Sequence, residues 1–164
     1  AVARSGLDLP IRLDERLRER EFGVLDRLTG LGIRHRFPEQ AEARARVGKF
    51  YHRPPGGESW CDVILRLRSV MDSFAIEYAA DRVLVVAHQV VVLCFRYLLE
   101  RLSEEEILTV DKAHRVANCS VTSYQTDTTG RFSLRQFNFT APLEAAGAAV
   151  TNDRDQKPSK RPKD

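Results

Sequence analysis

His88 stands between a run of branched apolar residues, 83–87, and the start of a helical pattern, with Gln89 beside it. If residues 83–87 are a strand of a parallel sheet, the imidazole lies at that sheet's carboxyl edge, where ligands of open α/β folds bind. The helix that follows offers free backbone N–H groups and a partial positive charge to an anion. An imidazole placed there can donate a hydrogen bond or a proton to such a ligand. The plainer alternative is a buried histidine bonded to a loop carbonyl.

Glu19 is the second candidate. It lies in the charged run Arg18-Glu19-Arg20-Glu21. Its carboxyl could act as general acid to a leaving oxygen, or it could be one more solvated surface charge. A third group is basic and aromatic: Arg44, Arg46, Lys49, Tyr51, His52 and Arg53. It reads either as a solvated helix face or as a lid whose forked guanidinium donors grip a phosphate or carboxylate. Glu58, in Pro54-Pro55-Gly56-Gly57-Glu58-Ser59, sits at a turn and helix cap, from which it could brace a neighbouring loop by hydrogen bonds.

The elements that would position these groups follow from pattern. Residues 83–87 show no apolar/polar alternation, as in a central parallel strand covered on both faces. Val90, Leu93, Cys94, Tyr97 and Leu98 then recur at helical spacing. Upstream, Ser59 can cap the longest helix, with Asp62 three positions on partly mimicking a capping box. Along it, Trp60, Val63, Ile64, Leu67, Val70, Met71, Phe74 and Tyr78 face the core as far as Asp81. Pro38 and Glu39 open a helix that ends near Gly48. Residues 11–17 read as a short extended piece, and Gly30 and Gly32 as loop. Ser103 caps a short helix. Residues 119–125 and 131–137 form a hairpin around Asp127-Thr128-Thr129-Gly130. The domain covers 1–142, and residues 143–164, small and then polar, read as a disordered tail.

The chain has 164 residues, enough for one domain with a real core. A net charge of +3 is too small to argue for nucleic acid, because the basic residues are nearly matched by acids. No apolar run is long enough to span a bilayer, and no basic-then-apolar leader opens the sequence. Cys61, Cys94 and Cys119 are odd in number and lack metal-ligand spacing. They read as reduced core thiols of a cytoplasmic protein that needs no cofactor.

Three motifs occur in a telling order: Leu-x-Glu-Arg-x-Phe-Gly at 17–23, Pro-x-Gly-Glu-Ser at 55–59 heading a long helix, and the valine-rich segment ending in His88-Gln89. Together they resemble the histidine phosphatase superfamily, with its phosphoglycerate mutase-like fold. The Tyr/Arg/Pro segment before Gly-Glu-Ser, and His-Gln, are similar to its fructose-2,6-bisphosphatase-type branch. The resemblance implies an α/β three-layer sandwich, with a mostly parallel central sheet and helices on both faces. In that family a histidine in an Arg-His-Gly triplet attacks phosphorus. A second histidine and two arginines hold the phosphoryl oxygens. A glutamate protonates the leaving oxygen and then activates water. By the motif match, Glu19 is the acid/base and His88 the second histidine. Arg20, Arg44, Arg46, Lys49, Tyr51, Arg53 and Gln89 fall in regions that touch substrate, with Glu58 supporting the site.

The sequence contains no Arg-His-Gly. Of the remaining histidines, His35 is expected in a loop and His114 before the hairpin, and neither fits the nucleophile's place. The chain is therefore expected to lack the fold's N-terminal strand–helix portion and to be inactive alone; a complementing segment or a second copy could supply the missing strand, or the fold could close up around the gap. The parent would be a phosphomonoesterase for a small phosphorylated metabolite. Two alternatives are a non-catalytic module that binds phosphate, sugar phosphate or protein, and a mutase that passes the phosphoryl group to a second hydroxyl.

Overall fold

A computed structural model describes residues 9–79 and 81–151. The start of the chain and most of the expected polar tail, from 152, lie outside the described residues. The core is built on two helices, α3 (Trp60–Glu77) and α4 (Gln89–Glu100). Ser59 accepts from the Asp62 N–H while the Asp62 carboxylate accepts from the Ser59 N–H, so two orphan donors at the start of α3 are satisfied at once. The i, i+3, i+4 spacing then drives Trp60, Val63, Ile64, Leu67 and Val70 inward, against Val91, Leu93 and Cys94 of α4. α3 stops at Glu77, four residues short of the expected end.

The buried stripe of α4 is Val91, Leu93, Cys94 and Arg96, wider than its apolar spacing predicts. The helix is covered from three sides: by α3, by α5 (Glu104–Ala113), and by the second strand of a hairpin, β1 (Val121–Thr126) and β2 (Phe132–Phe139). The hairpin is antiparallel, pairs Tyr124 with Leu134, and carries an irregularity between Val121 and Tyr124. Its turn forms because the Asp127 carboxylate accepts from the Thr129 and Arg131 N–H groups.

Arg96 is buried with its charge paired. Its Nε and Nη2 donate to Glu100 at 2.7 and 2.9 Å, its guanidinium lies 4.0 Å over the Phe137 ring, and Tyr124 donates to the same carboxylate at 2.5 Å. Burial pushes the Glu100 carboxyl up, but the bonds from Arg96 and Tyr124 outweigh it and hold the pKa below the usual range. Removing one partner of a buried pair leaves a desolvated charge behind. Glu100→Gln is expected to cost about 2 kcal/mol in a urea unfolding curve, because Gln keeps the shape and loses the charge. An unchanged midpoint would remove this triad from the account of stability.

Three expectations are corrected. Residues 83–87 form no strand among the described residues, with Leu84 73% and Val86 81% exposed. A strand needs a neighbour for its N–H and C=O groups, and among the described residues the only sheet is the hairpin. The mixed α/β character stands, without a parallel sheet inside the described residues. Second, Gly30 and Gly32 are not loop. They lie in α1 (Gly30–Arg36), which therefore also carries His35, because the Thr29 hydroxyl accepts from the Gly32 N–H and caps the turn. Residues 38–47 follow as α2 (Pro38–Val47). Third, the tail begins with a short helix, α6 (Ala141–Ala145), opened by Pro142 in its first turn.

Two smaller differences are local. Residues 15–17 make a 3₁₀ turn capped by Asp14 rather than an extended piece. Of the three thiols only Cys94 is buried, with Cys61 half-buried and Cys119 exposed.

Candidate functional site

Glu19 and His88 meet. His88 caps the start of α4 in an extended conformation and makes no side-chain capping bond, so its ring is free to point elsewhere. Its Nδ1 lies 3.7 Å from Glu19 Oε2. The His88 side chain is 60% exposed and that of Glu19 31%, so solvent and ligands can reach the pair. The other Glu19 oxygen accepts from the Arg20 N–H at 2.7 Å. Gln89 is half-buried in the first turn of α4.

The segment that carries Glu19 is held by Glu58. Its Oε2 accepts from the Glu21 N–H at 3.0 Å, and the Glu58 N–H donates to Glu21 O at 2.8 Å. Arg18 and Arg66 donate to the same carboxylate. Burial works to raise the Glu58 pKa, yet the Arg66 and Glu21 bonds prevail and hold it low. Arg66 also donates to Arg16 O, tying the preceding turn to α3. The sequence reading missed Arg66. The only available signal was its place on α3 two turns beyond Glu58, where a long side chain can reach back.

The two loops touch backbone to backbone at glycine. Gly23 has φ +54°, and a Cβ on Gly57 would sit 2.8 Å from Glu21 O. Val24 N–H donates to Pro55 O at 3.1 Å across this contact.

Arg20 is not an open anion ligand. It is 7% exposed, and its Nε and Nη2 donate to Glu58 O at 2.6 Å and His52 O at 3.1 Å. The guanidinium lies 5.2 Å over the Phe22 ring. Burial and the nearby Arg44 charge both act to lower its pKa. His52 is buried too. Desolvation first, then Arg44 and Arg20, hold its imidazole below the usual value.

The basic cluster divides. Lys49 bonds Asp111 at 2.5 Å and Tyr51 bonds Glu104, both on α5, while Arg53 bonds Asp62 at the start of α3. The bond to Glu104 pushes the Tyr51 phenol up to about 12. These three side chains are thus engaged by carboxylates. Arg44 and Arg46, exposed on the last turn of α2, have no side-chain hydrogen bond or ion pair among the described residues. Arg44 is the one whose charge reaches Arg20 and His52.

Among the described residues, no group of three or more His, Cys, Asp or Glu is placed to hold a metal ion, and no helix is long and apolar enough to cross a membrane.

Residues 1–140 match the histidine phosphatase superfamily, branch 1. The chain belongs to that superfamily. Among curated histidine phosphatase relatives, human 6-phosphofructo-2-kinase/fructose-2,6-bisphosphatase 3 is 33% identical over 119 residues, which cover 72% of this chain and 22% of that protein. A probable fructose-2,6-bisphosphatase of Schizosaccharomyces pombe is 32% identical over 111 residues, 67% of this chain and 26% of that protein. Among solved structures, Bacillus stearothermophilus YhfR superposes with a TM-score of 0.70 at 25% identity, covering 84% of this chain and 66% of its own. A mycobacterial glucosyl-3-phosphoglycerate phosphatase solved with VO3 gives 0.66 at 27% identity, covering 84% and 67%. The histidine phosphatase chain described here thus spans about a quarter or less of these curated relatives and about two thirds of these solved structures.

Proposed function

We propose that the chain forms part of the pocket of a histidine-type phosphomonoesterase acting on a small phosphorylated metabolite in the cytoplasm. The observation that carries this is the 3.7 Å approach of Glu19 and His88 at the start of α4, both open to solvent. In this reading the Glu19 carboxyl gives its proton to the leaving ester oxygen as the P–O bond breaks and a histidine nitrogen bonds to phosphorus. Glu19, now a carboxylate, takes a proton from the water that attacks the phosphohistidine, which frees phosphate and restores the acid. His88 and the first turn of α4, including Gln89, stabilise charge on the equatorial oxygens. Arg44 and Arg46 are the cations open to the remainder of the substrate, a second phosphate or a carboxylate. The related fructose-2,6-bisphosphatases and glucosyl-3-phosphoglycerate phosphatase, by their names, favour sugar phosphates and phosphoglycerate esters.

The attacking histidine belongs to an Arg-His-Gly that these 164 residues do not contain. In this reading it comes from residues encoded upstream of Ala1, or from a complementing chain that carries the triplet. The test is release of phosphate from p-nitrophenyl phosphate and sugar phosphates by the protein expressed with its upstream residues. Turnover that falls at least about 100-fold in His88→Ala is expected, since loss of one oxyanion-type donor costs that much. The second reading, a module that binds phosphate without turning it over, draws on the same missing triplet. Saturable phosphate binding, lost in His88→Ala and with no turnover in the upstream-extended protein, would favour it. Absence of both would defeat the two readings together.

A further inference from the structure

Arg20 is charged, buried, and next in sequence to the proposed acid, yet both of its paired nitrogens bond protein carbonyls rather than facing the pocket. The cost of burying a guanidinium is met by those two acceptors and by the Phe22 ring face. The three anchors come from different places: Glu58 O from the loop ahead of α3, His52 O from the segment following α2, and Phe22 from the residues after Arg20 itself. Residue 20 is therefore fixed in position relative to both loops. Its own N–H then donates to Glu19 Oε1 at 2.7 Å, and the second oxygen, Oε2, is the one that approaches His88.

We propose that Arg20 is a positioning residue, which locks the peptide at residue 20 between the His52 and Glu58 carbonyls so that its N–H orients the Glu19 carboxyl toward His88. The inference rests on the Glu19–His88 reading of the site and replaces substrate contact as the role of Arg20. Lysine at this place keeps the charge but is a point donor on a flexible stem. It cannot span both carbonyls in one plane as the fork does.

Two measurements test it. In the upstream-extended enzyme, Arg20→Lys is expected to lower kcat about 30-fold with KM within about twofold, the mark of misplacement rather than lost binding. A KM raised tenfold or more with kcat unchanged would make Arg20 a substrate ligand and overturn the proposal, and unchanged kcat and KM would overturn it too. In the chain of 164 residues, without any turnover, the His88 Cε1–H resonance reports the Glu19 carboxyl. Glu19→Gln is expected to shift it, and Arg20→Lys to shift it in the same direction while the core amide resonances stay folded. Arg46→Ala is expected to leave it in place. If Glu19→Gln moves the resonance and Arg20→Lys does not, the positioning role fails while the paired site survives. If Glu19→Gln leaves it unmoved, the Glu19–His88 reading fails and takes the role of Arg20 with it.

Discussion

Glu19→Gln is expected to reduce turnover of an alkyl phosphate about 1,000-fold in the upstream-extended enzyme, since a positioned acid/base contributes about 10² to 10⁴. Gln is the informative replacement. Its carbonyl oxygen can still accept from the Arg20 N–H, now 2.7 Å from Oε1, so the segment keeps its place. What is lost is the proton. The effect should depend on the leaving group. An alkoxide leaves badly without a proton, so formation of the phosphohistidine slows fully. p-Nitrophenolate leaves unaided, so that step is nearly spared, while hydrolysis of the phosphohistidine still lacks its base. The variant should then release one equivalent of p-nitrophenol in a burst and accumulate a phosphoprotein visible by 31P NMR. His88→Ala should show the opposite pattern, with both leaving groups slowed alike, because in the proposed mechanism His88 serves the phosphoryl oxygens that both substrates share. A Glu19→Gln enzyme that turns over alkyl phosphates at the parent rate would remove Glu19 from the chemistry.

Much of the local structure was legible because its causes are local. Ser59 and Asp62, or Ser103 and Glu106, lie three residues apart and satisfy each other's backbone groups whatever the rest of the chain does. Asp127 and Gly130 make their turn in the same way. That residues 83–87 join no sheet among the described residues was not legible, because pairing depends on a neighbour that pattern cannot supply. The meeting of Glu19 with His88, 69 positions apart in sequence, could be expected only through the order of three motifs and not through spacing. Arg20 shows the limit most clearly. Within Arg-Glu-Arg-Glu it reads as one solvated charge among four. What buries it are the carbonyls of His52 and Glu58, and a backbone acceptor leaves no trace in residue identity. Lys49, Tyr51 and Arg53 show the reverse. Their types suit a phosphate lid, but Asp111, Glu104 and Asp62 had already claimed them.

Gly23→Ala should do more damage than any side-chain truncation near the site. Gly23 has φ +54°, which costs a residue bearing a Cβ about 1 kcal/mol. The new Cβ would also overlap Pro55 O and sit 2.7 Å from both Gly56 C and Gly57 N. These are backbone atoms, which cannot swing aside as a side chain can. Relief requires the two loops to part, and that breaks Val24 N–H to Pro55 O and strains the Glu21–Glu58 pairing. Each lost bond is worth about 1 kcal/mol, so the expected destabilisation is about 3 kcal/mol by urea unfolding. Gly130→Ala separates the two causes. Its φ is +78° and nothing lies within 4 Å of the added Cβ, so it carries the dihedral cost alone, about 1 kcal/mol. Because the parted loops are the ones that seat Glu19, Gly23→Ala in the upstream-extended protein should also lose phosphatase turnover under conditions where it remains folded, and Gly130→Ala should not. Equal destabilisation by the two substitutions would mean that the close backbone approach at residue 23 is not what holds the acid in place.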